Sequence, residues 1–232
     1  MIWLGLYDSA FAALAVMANT DGIVVGDSVG PNALGLESMD DVTLEHMVHH
    51  ASAVRRGAPD TPMIVDLPMQ TQRLALEHAL PGALHLWRES RADAIKLEGS
   101  DPDVVALSAA LRDAGVTVCA HLVRAQASME RHAEAAVALR GAGVIAAVVQ
   151  GLSPEESDAL RRVLGVPTIG VEQRHGCDGV VMNAYRALGL LAKTDASSSS
   201  HDRASGPMET LRQAVETQRR SRHRDVHAVA SS

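Results

Sequence analysis

Seven positions in this 232-residue chain carry side chains that can do chemistry at one rim: Asp27, Ser28, Asp66, Glu98, His121, Gln150 and Glu172. Each closes a short apolar run, and Lys96 sits inside the run that Glu98 ends. An acid at a strand end is commonly only a turn or cap residue. Three acids from consecutive strands are different, because like-charged carboxylates brought together are stable only when a cation compensates them. Asp27, Asp66 and Glu98 therefore read as ligands of a divalent ion, and hard oxygen donors without cysteine favour Mg2+ over zinc.

The elements that must position these residues follow from a repeated pattern of apolar run, polar residue and helical stretch. The runs are 2–6, 23–25, 63–65, 94–97, 116–120, 144–149, 168–171 and 180–182. Several of the intervening helical stretches end in a glycine turn, as in LSAALRDAGVTVCA. Alternating β and α units with wholly apolar strands predict a parallel sheet covered by helices. Eight units in so short a chain predict an α/β fold of the (βα)8 TIM-barrel type over residues 1–193, with an open doubly wound sheet as the competing architecture. Barrel active sites sit at the carboxyl ends of the strands, where all of these polar residues fall. Residues 194–207, TDASSSSHDRASGP, read as a disordered Ser-rich linker, and 208–232 as a terminal helix and tail with Leu211 and Val215 on one side.

Composition narrows the function. Hydrophobic residues make up 47% and charged residues 21%, enough for a sizeable core. The net charge of -7 and only five aromatics, Trp3, Tyr7, Phe11, Trp87 and Tyr185, argue against a nucleic-acid reader. Cys119 and Cys177 form neither a disulfide framework nor a CxxC pair, so a cytoplasmic setting is expected. Asp8 interrupts the apolar start, and no run reaches the roughly 18 residues of a membrane span.

Three other motifs carry weaker signals. Gly26-Asp27-Ser28-Val29-Gly30 matches the GxSxG nucleophile elbow, but the following Gly30-Pro31-Asn32 begins a loop with no helical pattern before about Val42. Ser28 is better read as an anion binder. His46, His49 and His50 have helical spacing without a carboxylate among them and read as surface residues. Cys177 reads as a turn cysteine rather than a nucleophile.

The segment GIVVGDSVGPNALGLESMDDVTLEHMVHHASAVRRG, with VDLP, IKLEG, the HL of AHLVRAQAS and IGVEQRHGCDG, resembles ketopantoate hydroxymethyltransferase over residues 2–192. The resemblance implies a barrel of the phosphoenolpyruvate mutase and isocitrate lyase type, Mg2+, methylenetetrahydrofolate as co-substrate and a decameric homo-oligomer. It implies Asp27 and Asp66 as metal ligands that also face the substrate, and Glu98 as a further metal contact. Ser28 and Lys96 would bind the carboxylate and keto oxygen of a 2-oxo acid, and His121 would be an active-site histidine. Chelation by Mg2+ polarises the keto group, which acidifies the adjacent C–H and stabilises the enolate that attacks a one-carbon electrophile.

The chain departs from the family in three places. Gln150 stands where the family keeps its glutamate base, and an amide cannot accept a proton at neutral pH. The glycine-rich stretch after strand five is absent, and Val171-Glu172-Gln173 replaces the small residues after strand seven. His121 and Glu172 are the two groups that can substitute as base. Three readings follow: a hydroxymethyltransferase with a relocated base, a diverged Mg2+-dependent carbon–carbon lyase or aldolase-like enzyme on a related 2-oxo acid, and a non-catalytic homologue that binds ligand or an active paralogue.

Overall fold

A computed structural model describes residues 1–172 and 175–191. Eight strands, β1 (Ile2–Gly5), β2 (Gly22–Val25), β3 (Met63–Asp66), β4 (Ala94–Glu98), β5 (Val118–Val123), β6 (Ala146–Gln150), β7 (Thr168–Val171) and β8 (Gly179–Asn183), form a closed barrel in sequence order. Every neighbouring pair is parallel, and β8 closes on β1 with Met182 opposite Leu4 and Asn183 opposite Gly5. The expected (βα)8 barrel is therefore the fold, and the open sheet is not.

The expected apolar runs place every strand, with shifts at the ends. Strand β5 starts later and runs further than its apolar run, so His121 lies within it, and Gln150 is the last residue of β6. Buried faces explain the continuous apolar sequence: β2 and β3 are buried at all four positions. Side chains alternate inward and outward along a strand. The inward set Val24, Ile64, Ala94, Cys119, Val148 and Ile169 packs into one cluster, with Trp3 and Val181 against it. Gly22 leaves room for the Trp3 ring, which a Cβ there would strike.

Helices α1 (Ser9–Met17), α2 (Leu44–Gly57), α3 (Met69–Gln72), α4 (Leu76–Ser90), α5 (Pro102–Asp113), α6 (Met129–Gly141), α7 (Pro154–Leu164) and α8 (Ala184–Ala187) occur along the chain. Their starts are written in the sequence. Asp8 caps α1 by accepting from the Ala10 and Phe11 N–H groups. Ser153 and Glu156 form a capping box on α7, whose Pro154 follows the cap and whose end is turned by Gly165. Between β2 and α2 the chain makes a short helical turn at Gly30–Leu34 and another at Met39–Asp41, where only a loop was expected. Only the five-residue turn Gly30–Leu34 follows Ser28, and the first long helix, α2, begins at Leu44, so the strand does not run into the helix of a nucleophile elbow.

The chain divides into two compact units, Met1–Ala184 and Tyr185–Ser232, the first being the barrel. The expected boundary at 193, the linker 194–207 and the segment 208–232 lie outside the described residues, as does Gln173. Among the described residues no helix is long and apolar enough to cross a membrane.

Candidate active site

Two positions beyond the packed layer, the inward side chains change from apolar to charged. Strand β3 passes from Ile64 to Asp66, β4 from Ala94 to Lys96, and β5 from Cys119 to His121. Register sets them side by side: Asp66 is opposite Lys96, and Glu98 is opposite His121. All three inward groups are nearly sealed from solvent, Asp66 at 6%, Lys96 at 7% and His121 at 5% exposure.

A chain of charged contacts runs through them. Lys96 Nζ lies 3.0 Å from Asp66 Oδ2 and 3.4 Å from His121 Nδ1. His121 Nδ1 lies closer, at 2.8 Å, to Glu98 Oε2. The shorter contact assigns the Nδ1 proton to the Glu98 carboxylate, which leaves Nε2 as the basic nitrogen of a neutral ring. His121 Nε2 is buried and has no hydrogen-bond partner. Gln72 fixes Glu98 from the backbone: its Nε2 donates to the Glu98 carbonyl at 2.6 Å, and the Glu98 N–H donates to its Oε1 at 2.9 Å. Gln126 Nε2 donates to Glu98 Oε1 at 2.6 Å.

The electrostatics follow from burial and these neighbours. Burial opposes the Lys96 ammonium, but Asp66, Asp27 and Glu98 outweigh it and raise its pKa. Burial and the Lys96 charge hold His121 below its ordinary value against the pull of Glu98. Burial also opposes the Glu98 carboxylate, yet His121, Lys96 and Gln126 draw it down to about 2. Burial and the Asp66 charge push Asp27 up to about 7.

Asp27 reaches the site just after β2, where its N–H donates to Asp66 Oδ2 at 3.3 Å. Gly26 makes this approach possible: a Cβ there would lie 3.1 Å from Ser28 Oγ and 3.3 Å from Asp66 Oδ2, so both polar atoms converge on the same point. Ser28 Oγ is 2.9 Å from the Tyr7 hydroxyl, which also accepts from Asn32 Nδ2 at 2.9 Å and Asn183 Nδ2 at 2.7 Å. Burial holds the Tyr7 phenol above its ordinary pKa, outweighing its hydrogen bonds to Ser28, Asn32 and Asn183, so it keeps its proton.

The barrel thus brings together Asp27, Ser28, Asp66, Lys96, His121 and Glu98. Gln150 and Glu172 stand apart from this group on the exposed rim. Gln150 pairs with Val123, one inward step above His121. Glu172 adopts a left-handed backbone, φ 57°, and its Oε1 accepts from the Asn183 N–H at 3.2 Å. The three histidines of α2 are individually occupied: His46 Nδ1 accepts from the Thr43 N–H in a capping box, His50 Nδ1 donates to the Tyr7 carbonyl, and His49 packs edge-on to His50. His46 and His50 are half-buried rather than on the open surface. Burial pushes the Cys119 thiol up to about 12, which makes it inert packing.

Among the described residues no three His, Cys, Asp or Glu side chains form a ready-made metal cage. Glu98 is turned toward His121 and Gln126, while Asp27 and Asp66 form an acidic pair. That pair suits a divalent oxygen-seeking ion on two counts. Asp66 Oδ1 is buried without a partner, and Asp27 is forced toward its neutral form by burial and by its neighbour's charge. Mg2+ is commonly held by one or two carboxylates with water and substrate completing its shell.

A cleft of about 690 Å³ adjoins the site and shares Glu98 and Gln126 with it, bounded also by Arg73, Ser100 and Arg131. The strand-end rule located every acid and base of the central group. Applied to β8, it would also have reached Asn183. Tyr7 stood in plain view after β1, but Gln72 ends the short helix α3 and Asn32 and Gln126 lie in helical turns, and the sequence there carries no signal of their targets.

Comparison with known proteins agrees with this architecture. A family model described as ketopantoate hydroxymethyltransferase matches residues 1–219. The 3-methyl-2-oxobutanoate hydroxymethyltransferase of Deinococcus radiodurans is 37% identical over 206 residues, covering 82% of this chain and 72% of that protein. The protein of the same name from Geobacillus sp. strain WCH70 is 38% identical over 205 residues, covering 82% and 73%. Among solved structures, 2,3-dimethylmalate lyase, a PEP mutase/isocitrate lyase superfamily member, superposes with a TM-score of 0.66 at 16% identity, covering 95% of this chain and 90% of that one. The likeness to that structure is one of fold: both chains close a barrel of this kind.

Proposed function

The chain belongs to the ketopantoate hydroxymethyltransferase family, and on that premise we propose that it deprotonates a branched 2-oxo acid in an Mg2+-dependent step and adds a hydroxymethyl group from methylenetetrahydrofolate. The observation that carries this reading is the buried run Asp66–Lys96–His121–Glu98 at the barrel mouth, beside Asp27 and Ser28.

Asp27 and Asp66 would hold the ion, with Glu98 contributing from its place beside His121. When bound, Mg2+ supplies polarisation of the keto group and so acidifies the neighbouring C–H. The chain's own residues do the rest. Ser28 Oγ donates to the carboxylate of the 2-oxo acid, and the Lys96 ammonium faces the negative charge that develops on the keto oxygen. His121 is the base of this reading: its Nε2 is unpartnered and buried, and Glu98 fixes the ring by accepting from Nδ1. Gln150 has no basic atom, and Glu172 is exposed and engaged by the Asn183 N–H. The cleft that shares Glu98 and Gln126 is within the size range of ligand pockets and gives room for the folate.

A homo-oligomer suits the outer surface, since α1 leaves Leu14, Val16 and Met17 exposed at 52%, 49% and 82%.

Incubating the protein with 3-methyl-2-oxobutanoate and Mg2+ in D2O tests the first step by NMR. Exchange of the α-proton, followed by hydroxymethyl product on adding methylenetetrahydrofolate, is the expected result. Exchange without product favours the lyase-like alternative, to which Gln150 at the family's base position points. No exchange with any 2-oxo acid favours a non-catalytic homologue.

A further inference from the structure

The imidazole of His121 stands between two neighbours that ask for opposite protonation of the same atom. Lys96 Nζ, 3.4 Å from Nδ1, can only donate, so a bond to it needs a bare Nδ1 and puts the ring proton on Nε2. The Glu98 carboxylate, whose Oε2 lies 2.8 Å from Nδ1, can only accept, so a bond to it needs Nδ1–H and leaves a lone pair on Nε2. Only the second tautomer is a base at Nε2. The position of one carboxylate therefore decides whether the ring can take a proton from a ligand.

Glu98 is held at several points. It lies opposite His121 in the β4–β5 register, and the next residue, Gly99, donates its N–H to the His121 carbonyl at 2.9 Å. Gln72 occupies the Glu98 backbone N–H and carbonyl, and Gln126 Nε2 donates to Oε1 at 2.6 Å. With Oε1 taken, Oε2 is the oxygen that faces the ring. The Glu98 side chain is 26% exposed, so without the Gln126 amide water would reach Oε1 and the carboxylate could turn from Nδ1. Gln126 itself ends the turn Arg124–Gln126, which is pinned on both sides. His132 Nε2 donates to the Val123 carbonyl at 3.1 Å just before it, and Arg124 Nη1 donates to the Ala127 carbonyl at 3.2 Å across it.

We propose that Gln126 is a positioning residue which, by holding Oε1 of Glu98, turns Oε2 onto His121 Nδ1 and so selects the tautomer whose Nε2 can accept a proton. This rests on the reading of His121 as the base. Gln126 acts through Glu98 and needs no contact with the 2-oxo acid. Lys96, the rival for Nδ1, is left to Asp66 at 3.0 Å and to the keto oxygen.

The test reads the tautomer and the rate together. In protein carrying isotope-labelled histidine, with Mg2+ present, long-range proton–nitrogen NMR correlation shows which ring nitrogen of His121 bears the proton, the signal being assigned by its loss in His121→Gln. The parent should show Nδ1–H. Gln126 is exposed, so Gln126→Leu should fold; it should raise the Nε2–H form and cut the turnover number for α-proton exchange of 3-methyl-2-oxobutanoate about 10-fold, the scale of one hydrogen bond to a charged group. KM should move by less than about 3-fold, because the amide does not touch this substrate. The assay omits methylenetetrahydrofolate, which keeps any ligand of the cleft lined by Gln126 out of the result. Gln126→Lys, which puts back a donor to Oε1, should restore both the rate and the Nδ1–H form. An Nε2–H ring in the parent, a Gln126→Leu protein that matches the parent, or slowed exchange with an unchanged ring spectrum overturns the proposal. His121→Gln separates the two layers. If it exchanges as fast as the parent, the reading of His121 as base has failed; if it is slow while Gln126→Leu is as fast as the parent, the positioning role alone has failed.

Discussion

Lys96 Nζ and Asp66 Oδ2 lie 3.0 Å apart inside the barrel, with both side chains 8% exposed. A buried pair of this kind cannot lose one partner cheaply, because the other is left as an uncompensated charge in a region without water. Lys96→Met should therefore destabilise the metal-free protein by about 3–5 kcal/mol, measured by urea unfolding. Mg2+ should recover part of that loss. An unchanged midpoint would show that the pair is not formed in solution.

Asp27 gives the metal-free protein a characteristic pH dependence. Its pKa rises from 3.8 to about 7 on folding, so its contribution to stability is fully present below the unfolded value and lost as pH rises through the folded one. Melting temperature without metal should fall between about pH 5 and 8, and Asp27→Asn should flatten that slope. Glu98, drawn down to about 2, stays ionised throughout this window and adds no slope of its own. Since a metal ligand must be deprotonated, stabilisation by Mg2+ should grow over the same window in the parent and not in Asp27→Asn. Parallel curves for the two proteins would remove Asp27 from the ion's ligand set.

The base is separable by substitution. His121→Gln should reduce α-proton exchange about 100-fold or more, whereas Gln150→Ala should keep most of it. In the His121→Gln background, Gln150→Glu should restore exchange by placing a carboxylate at the rim. Strong exchange by His121→Gln alone would sink the assignment of His121 Nε2.

Gly26→Ala probes the space between the two halves of the site. The new Cβ would sit 3.1 Å from Ser28 Oγ and 3.3 Å from Asp66 Oδ2, displacing both by a few tenths of an ångström. Its backbone is not left-handed, so the fold should tolerate the change to within about 1 kcal/mol. Activity should fall about 10-fold or more, because small misplacements at reacting groups are costly. Equal activity would mean that Ser28 and Asp66 do not address the same ligand.

Much of this was legible in the linear sequence, for a specific reason. Strands buried on both faces leave long apolar runs, and a barrel gathers whatever follows them at one mouth. That logic found Asp27, Asp66, Lys96, Glu98 and His121 without any coordinates. It could not order them. That His121 faces Glu98 more closely than Lys96 depends on side-chain direction and on the stagger between β4 and β5. Nor could it reveal Gln72 and Gln126, whose amides reach Glu98 from across 26 and 28 positions of sequence. Nor does an apolar run announce how Glu172 is placed: its left-handed φ turns the chain just past β7 and hands its carboxylate to the β8 backbone.

Joining the last stave to the first has a consequence for the site. Tyr7 follows the first strand, and the Asn183 amide that donates to its hydroxyl stands 176 residues further along, on the strand that shuts the ring. Without that last strand the ring stays open beside β1, and Tyr7 lacks one of the amides that hold it. The site is thus a property of the closed ring rather than of any single stretch of chain.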